Sequence, residues 1–154
     1  IQNPADPVFG NHVGDRDYND GRYLQTSGGT LTGQLNTDVV KFEKNYIENH
    51  INLGSANSTL SVDVSSSTSF NVTLTGDINI SFTNTPPSGA TSISIWFQQD
   101  ASGGRSVTYP SSVKWPTGSQ PPLSVGANAV DLIILTTWDG GTTWYATLGG
   151  ANFQ

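Results

Sequence analysis

Cysteine and methionine are both missing from this 154-residue chain. Without cysteine there is no disulfide scaffold, no thiolate zinc site and no thiol catalysis, so stability has to come from packing, assembly or both. With no methionine and with isoleucine at position 1, the chain reads as a fragment of a longer polypeptide or a trimmed product. Charge is scarce as well: charged residues make up 12%, and 6 basic against 12 acidic side chains leave a formal net charge of −6. A protein that binds nucleic acid needs a basic footprint to displace counterions from phosphates, so no nucleic-acid partner is expected. No apolar run approaches the roughly 20 residues of a membrane-spanning helix, and no charged-then-apolar leader is visible, so membrane insertion is not expected either.

What remains is uncharged and polar. Hydrophobic residues are only 34%, and Ser, Thr, Asn and Gly dominate. Ser, Thr and Asn compete with helical backbone bonds through their own side chains, whereas Thr with Val, Ile and aromatics suits a pleated surface. An all-β chain is the expectation.

Residues 1–44 read as an irregular, extended segment, because Pro4, Pro7, Gly10, Gly14, Gly21, Gly28, Gly29 and Gly33 interrupt any regular element. Leu35, Val39, Phe42 and Tyr46 fall at helical spacing, a stripe that a turn of helix or an extended linker explains equally. From about residue 45 the period becomes two. Leu60, Val62 and Val64, then Phe70, Val72 and Leu74, then Ile78, Ile80 and Phe82, then Ile93, Ile95 and Phe97 alternate with polar residues. That is the pattern of strands with one buried and one wet face. About eight strands are expected over residues 45–154, arranged as an antiparallel, jelly-roll-like β-sandwich head.

Two strands carry apolar residues on both faces. Val130, Leu132 and Ile134 alternate with Ile133 and Leu135, and Trp96 points away from Ile95 and Phe97. With the first set taken as the inner one, Trp96, Ile133 and Leu135 are surplus apolar surface. A sandwich shelters one face of each sheet, so the surplus predicts cover from another copy or from residues 1–50 folding back.

The tests for chemistry are mostly negative. Asp15, Asp17 and Asn19 begin like a calcium loop, but Asp20 and Thr26 occupy the positions that require Gly and Glu, leaving only a loose ion site at Asp15, Asp17 and Asp20. Gly28 to Gly33 resembles a phosphate loop until Gln34 stands where a lysine is needed. His12 and His50 are far apart in sequence, no G-x-S-x-G elbow presents a serine, and the carboxylates are scattered. Asn57, Asn71 and Asn79 start N-x-[ST] triplets that a Ser/Thr/Asn-rich chain produces by chance. No catalytic residue, metal or cofactor is expected. The richest cluster is aromatic: Tyr109, Trp115, Trp138, Trp144 and Tyr145, with Asp139 beside them. Such rings can stack on sugars while Asp139 accepts sugar hydroxyls, or Trp138 and Trp144 can pair across a hairpin and fix its register.

At this point the residues resemble a known family. Asn19-Asp20-Gly21-Arg22-Tyr23-Leu24-Gln25-Thr26-Ser27-Gly28-Gly29-Thr30-Leu31-Thr32-Gly33 is similar to a short repeat of bacteriophage tail fibres, and Asn3-Pro4-Ala5-Asp6-Pro7 resembles the turn before such repeats. Tyr46-Ile47-Glu48, Leu74-Thr75-Gly76, Phe82-Thr83-Asn84, Gln99-Asp100, Val107-Thr108-Tyr109-Pro110, Val113-Lys114-Trp115, Pro122-Leu123-Ser124 and Asp139-Gly140-Gly141-Thr142-Thr143-Trp144-Tyr145 resemble a second phage structural module. Tyr109 stands where that module often has Trp. The resemblance implies a virion protein and a homotrimer, with itself as first partner, but identifies no receptor. The leading reading joins residues 1–44 to other tail or virion proteins and has the head attach to the host surface, to a glycan or another outer-envelope component. A purely structural fibre that decorates the capsid or serves tail assembly, and a capsule glycan hydrolase, are the rival readings.

Overall fold

A computed structural model describes residues 39–154. The fibre-type repeat, the Asp15, Asp17 and Asp20 cluster, and His12 lie outside the described residues. Contacts divide the chain between Lys44 and Asn45, and Asn45–Gln154 forms one unit. Residues 39–49 carry neither helix nor strand, so the stripe through Val39, Phe42 and Tyr46 is not helical there.

Nine strands follow: β1 (His50–Ala56), β2 (Thr59–Asp63), β3 (Ser69–Leu74), β4 (Ile78–Thr83), β5 (Thr91–Gln99), β6 (Val107–Thr108), β7 (Val113–Lys114), β8 (Val130–Thr137) and β9 (Trp144–Phe153). They form a six-stranded sheet in the order β1-β3-β5-β8-β9-β7 and a three-stranded sheet in the order β2-β4-β6. The described residues are therefore all-β, in two layers, as the alternation predicts.

Its connectivity is not the expected one. Of the seven pairings, only β5 with β8 and β8 with β9 are antiparallel; the other five are parallel. The antiparallel, jelly-roll-like expectation is corrected by the way β1 to β6 alternate between the two sheets. Each corner passes the chain across to the opposite layer instead of reversing it within one, so strands two apart in sequence lie side by side and point the same way. Parallel neighbours need a long crossover, and here a strand of the opposite sheet fills it. The result is a short solenoid-like winding without any sequence repeat.

Hydrogen bonds between stacked corners hold the winding. Thr75 N–H donates to Ala56 O (2.8 Å), Asn79 N–H to Ser58 O (2.8 Å) and Ile78 N–H to Ser106 O (3.0 Å). Gly76 is required where its corner sits on the one before, since a Cβ there would lie 2.7 Å from Asn57 O.

The core lies between the layers. Phe70, Val72, Leu74, Ile93, Ile95, Phe97, Ile133, Leu135 and Trp144 from the large sheet pack with Leu60, Val62, Ile78, Ile80 and Val107 from the small one. Trp144 bridges the layers, its ring centroid 5.3 Å from that of Phe82. Each fully buried side chain of this kind contributes about 1.5–3 kcal/mol. That supplies the cohesion a disulfide-free chain needs.

Candidate functional site

The aromatic candidates separate into an inner and an outer group. Trp144 is buried in the core. Tyr109 and Trp115 meet edge to face at 5.0 Å, and Tyr109 also meets Phe97 at 6.3 Å. The Tyr109 hydroxyl is buried without a hydrogen-bond partner among the described residues. Burial pushes its pKa well up, and the negative charge of Asp131 pushes it further. Trp144 packs in the core, and Tyr109 and Trp115, partly buried, pack against it.

The expected Trp138–Trp144 pair does not form. Trp144 faces inward with Ala146, while Trp138 and Tyr145 lie on the outward side of the large sheet, because adjacent strand residues point to opposite faces. The pair that does form is Trp138 with Tyr145, stacked at 4.1 Å with an interplanar angle of 16°. It is solvent-facing, with Trp138 62% and Tyr145 41% exposed.

A built hairpin carries this pair. Asp139 Oδ1 accepts from Thr143 N–H (2.9 Å) and from Thr137 Oγ1 (2.8 Å), and Gly141 N–H donates to Thr137 Oγ1 (2.9 Å). Gly140 and Gly141 take φ of 71° and 83°, a region that strains other residues. Gly140 also sits against the backbone of Pro86 and Ser88, and its N–H donates to Gly89 O at 3.0 Å. The platform is thus fixed before any ligand arrives.

Strand register gives the platform its neighbours. Ser92 pairs with Thr136, Thr136 with Tyr145, and Tyr145 with Lys114, so two hydroxyls, an aromatic ring and an ammonium form one row across four strands. Ser92 and Thr136 are hydrogen-bonded to each other at 3.1 Å. Lys114 Nζ donates to Ser111 O at 2.8 Å. Neither Lys114 nor the hydroxyl row stands out in the sequence, because only the register brings them beside Tyr145.

Asp139 serves the hairpin, and the other aspartates of the unit serve turns in the same way. Asp63 accepts from Ser65 Oγ and N–H and from Asn84 Nδ2; Asp77 from Ser106 N–H and Oγ; Asp100 from Arg105, Ser102 N–H and Gly103 N–H. Asp131, buried on β8, accepts from Ser124 N–H and Oγ and from Asn152 N–H. Hydrogen bonds lower four of these pKa values. The leading donors are the Ser65 side chain for Asp63, Ser106 N–H for Asp77, the Arg105 guanidinium for Asp100 and Thr143 N–H for Asp139. A general acid needs a raised pKa, so these four groups are shifted the wrong way for that role.

The proposed interface residues need correction. Ile133 and Leu135 are 1% and 0% exposed within a single chain, so neither reaches a partner. Ile133 pairs with Ile95 and Leu135 with Ile93, which places both in the core, while their neighbours Leu132 and Ile134 face outward. Trp96 is half-buried on that outward face, paired with Leu132 and 5.8 Å from the ring of Phe153. Phe153 lies over Gly150, and Ile134 with Leu132 closes over Gly149. The outward apolar patch is therefore Trp96, Val130, Leu132, Ile134 and Phe153.

Residues 57–143, more than half of the chain, match a family described as "Putative phage tail fibre C-terminal domain". The match runs from the corner before β2 to the end of the platform hairpin. No curated protein and no solved structure matches the chain.

Proposed function

The chain belongs to the phage tail fibre C-terminal domain family, and from that premise we propose that it is a non-enzymatic, homotrimeric head that attaches the virion to a saccharide of the host surface. As a tail fibre component it is a virion structural part that associates with other virion proteins. The finer reading rests on one observation: a stacked Trp138–Tyr145 pair stands in solvent on a rigid hairpin. An indole held open in this way offers an apolar face to the C–H face of a sugar ring, and the neighbouring Ser92 and Thr136 hydroxyls offer polar contacts. Because the hairpin is ordered beforehand, little conformational entropy is lost on binding.

Trimerisation is supported by the outward patch of Trp96, Leu132, Ile134 and Phe153. Strand rise of about 3.3 Å per residue puts Trp138 roughly 13 Å along the sheet from Ile134, the patch residue nearest it on β8, so a partner centred over the patch leaves the platform open. Three linked heads make shallow sites effective through avidity. The turn-bound aspartates support the absence of hydrolase activity. Residues 1–44 are the segment left to join the rest of the fibre.

Two measurements test this. Purified protein competes with virus for host cells, and the Trp138→Ala variant loses that competition while keeping its fold. Light scattering gives the trimer mass at micromolar concentration. Undiminished competition by Trp138→Ala defeats the platform, and a monomer mass defeats the trimer.

A further inference from the structure

We infer that the saccharide taken up at the Trp138–Tyr145 platform is acidic, with Lys114 holding its anionic group; this rests on the attachment reading above. The starting observation is how the charges of the head are used. Residues 45–154 contain two cations, Arg105 and Lys114, against six carboxylates. Arg105 is taken by Asp100 at 2.9 Å. The carboxylates are occupied by turns, and Glu48 accepts from Thr68 Oγ1 at 2.7 Å. Among the described residues of the head, Lys114 is the cation without a carboxylate partner.

Its position is specific. Lys114 is the register partner of Tyr145, and both side chains lie on the outward face, since the preceding pair, Val113 and Trp144, is buried. The row Ser92–Thr136–Tyr145–Lys114 contains no carboxylate. Strands lie about 4.8 Å apart, so the row extends roughly 14 Å, enough for an oligosaccharide rather than one sugar. One ammonium N–H is used by Ser111 O, leaving two for a ligand. The far end of the row is Ser92 on β5, and Asp139 stays within the β8–β9 hairpin, where its Oδ1 is held by Thr143 N–H and Thr137 Oγ1. An ammonium at one end and hydroxyls at the other orient the ligand, with its acidic group over β7 and its hydroxyl-rich part over β8 and β5.

A lysine is a point charge that accepts carboxylate and phosphate alike, whereas arginine favours bidentate geometry. The shared chemistry is therefore an anionic substituent on a sugar, either a uronic acid or a phosphorylated sugar.

Calorimetry on the trimer with three soluble oligosaccharides of equal length, one carrying uronic acids, one a phosphate monoester and one neutral, tests this. At low salt at least one acidic probe binds more tightly than the neutral one, and the tighter arm identifies the source. Lys114→Gln removes that preference, a loss of about three- to fivefold for an exposed ammonium; Lys114→Arg restores it in part. Raising the salt concentration has the same effect as Lys114→Gln, because exposed charges are screened. Equal binding of all three probes, with Lys114→Gln indifferent, overturns the acidic ligand and leaves the platform standing. Binding that survives Trp138→Ala, or no binding of any probe to the unaltered protein, overturns both this inference and saccharide attachment.

Discussion

Leu132 and Leu135 stand three residues apart on β8 and meet opposite surroundings. The inward side of the strand presents Asp131, Ile133, Leu135 and Thr137, all buried; the outward side presents Val130, Leu132 and Ile134, half-buried, then exposed Thr136 and Trp138. The chemistry of the two sides is nearly the same. What separates them is the neighbour that register supplies: Ile95 beside Ile133 continues the core, and Trp96 beside Leu132 continues the outer face. Burial in this head is set by pairing rather than by the hydrophobicity of the strand.

The strongest way to break that comparison is Leu135→Ala. Leu135 is fully enclosed, so the substitution removes apolar contacts and leaves a cavity, at a cost of about 2–5 kcal/mol. Urea denaturation checks it, and the loss is independent of protein concentration when read below the assembly threshold. A loss under about 1 kcal/mol would mean that the inward side is not the core.

Asp131→Ala is the next largest. Its buried carboxylate satisfies the N–H groups of Ser124 and Asn152 and the Ser124 hydroxyl, tying the 119–128 loop and the end of β9 to β8. Removing it strands donors whose burial costs about 1–3 kcal/mol each where water cannot replace the partner. Proteolysis between residues 119 and 128 should quicken as stability falls, and an unchanged digestion pattern would show that the loop has another anchor.

These two positions also mark what the sequence makes legible. Alternation identified the inward residues of β2 to β5, including Phe70, Val72, Leu74, Ile93, Ile95 and Phe97, because polar partners label the other face. On β8 both faces are apolar, so period two divides the residues correctly into Ile133 with Leu135 and Leu132 with Ile134, but carries no label for which set is inside. Strand direction was hidden for a different reason. Corners such as Thr75-Gly76-Asp77 have the residues of a hairpin turn, and only contacts with Asn57 below and Ser106 above reveal that they pass the chain to the other sheet. Asp139-Gly140-Gly141 was readable as a hairpin, because positive φ there demands glycine; its Trp138–Tyr145 pair was not, since the register of the whole sheet places it.

Acid sharpens the comparison from the solvent side. Asp63, Asp77, Asp100 and Asp139 have folded-state pKa values below the ordinary aspartate value, each lowered by hydrogen bonds to the ionised form. Depressed folded pKa values mean stability that is fully present above the unfolded pKa, near 3.9, and lost as the pH falls through the folded values. The urea midpoint should therefore begin to drop below about pH 4. Since these groups keep their contact with water, Asp63→Asn or Asp77→Asn should flatten the acid limb only slightly. A limb unchanged when both are replaced would assign acid sensitivity elsewhere.

The smallest effect on the single chain, and the most discriminating, is Leu132→Ser. Leu132 is half-buried under Trp96 and beside Gly149, so the change opens no sealed cavity and should cost less than about 1 kcal/mol in a denaturation experiment. Assembly is affected differently, because a serine in each of three contacting patches places polar groups where copies are proposed to bury apolar surface. Sedimentation should then show the mass falling from trimer toward monomer while the fold persists, the reverse of Leu135→Ala, which weakens the chain itself. If Leu132→Ser combined with Trp96→Ser leaves the trimer intact, the outward side of β8 is not where the copies meet, and its apolar residues serve only to cover Gly149 and Gly150.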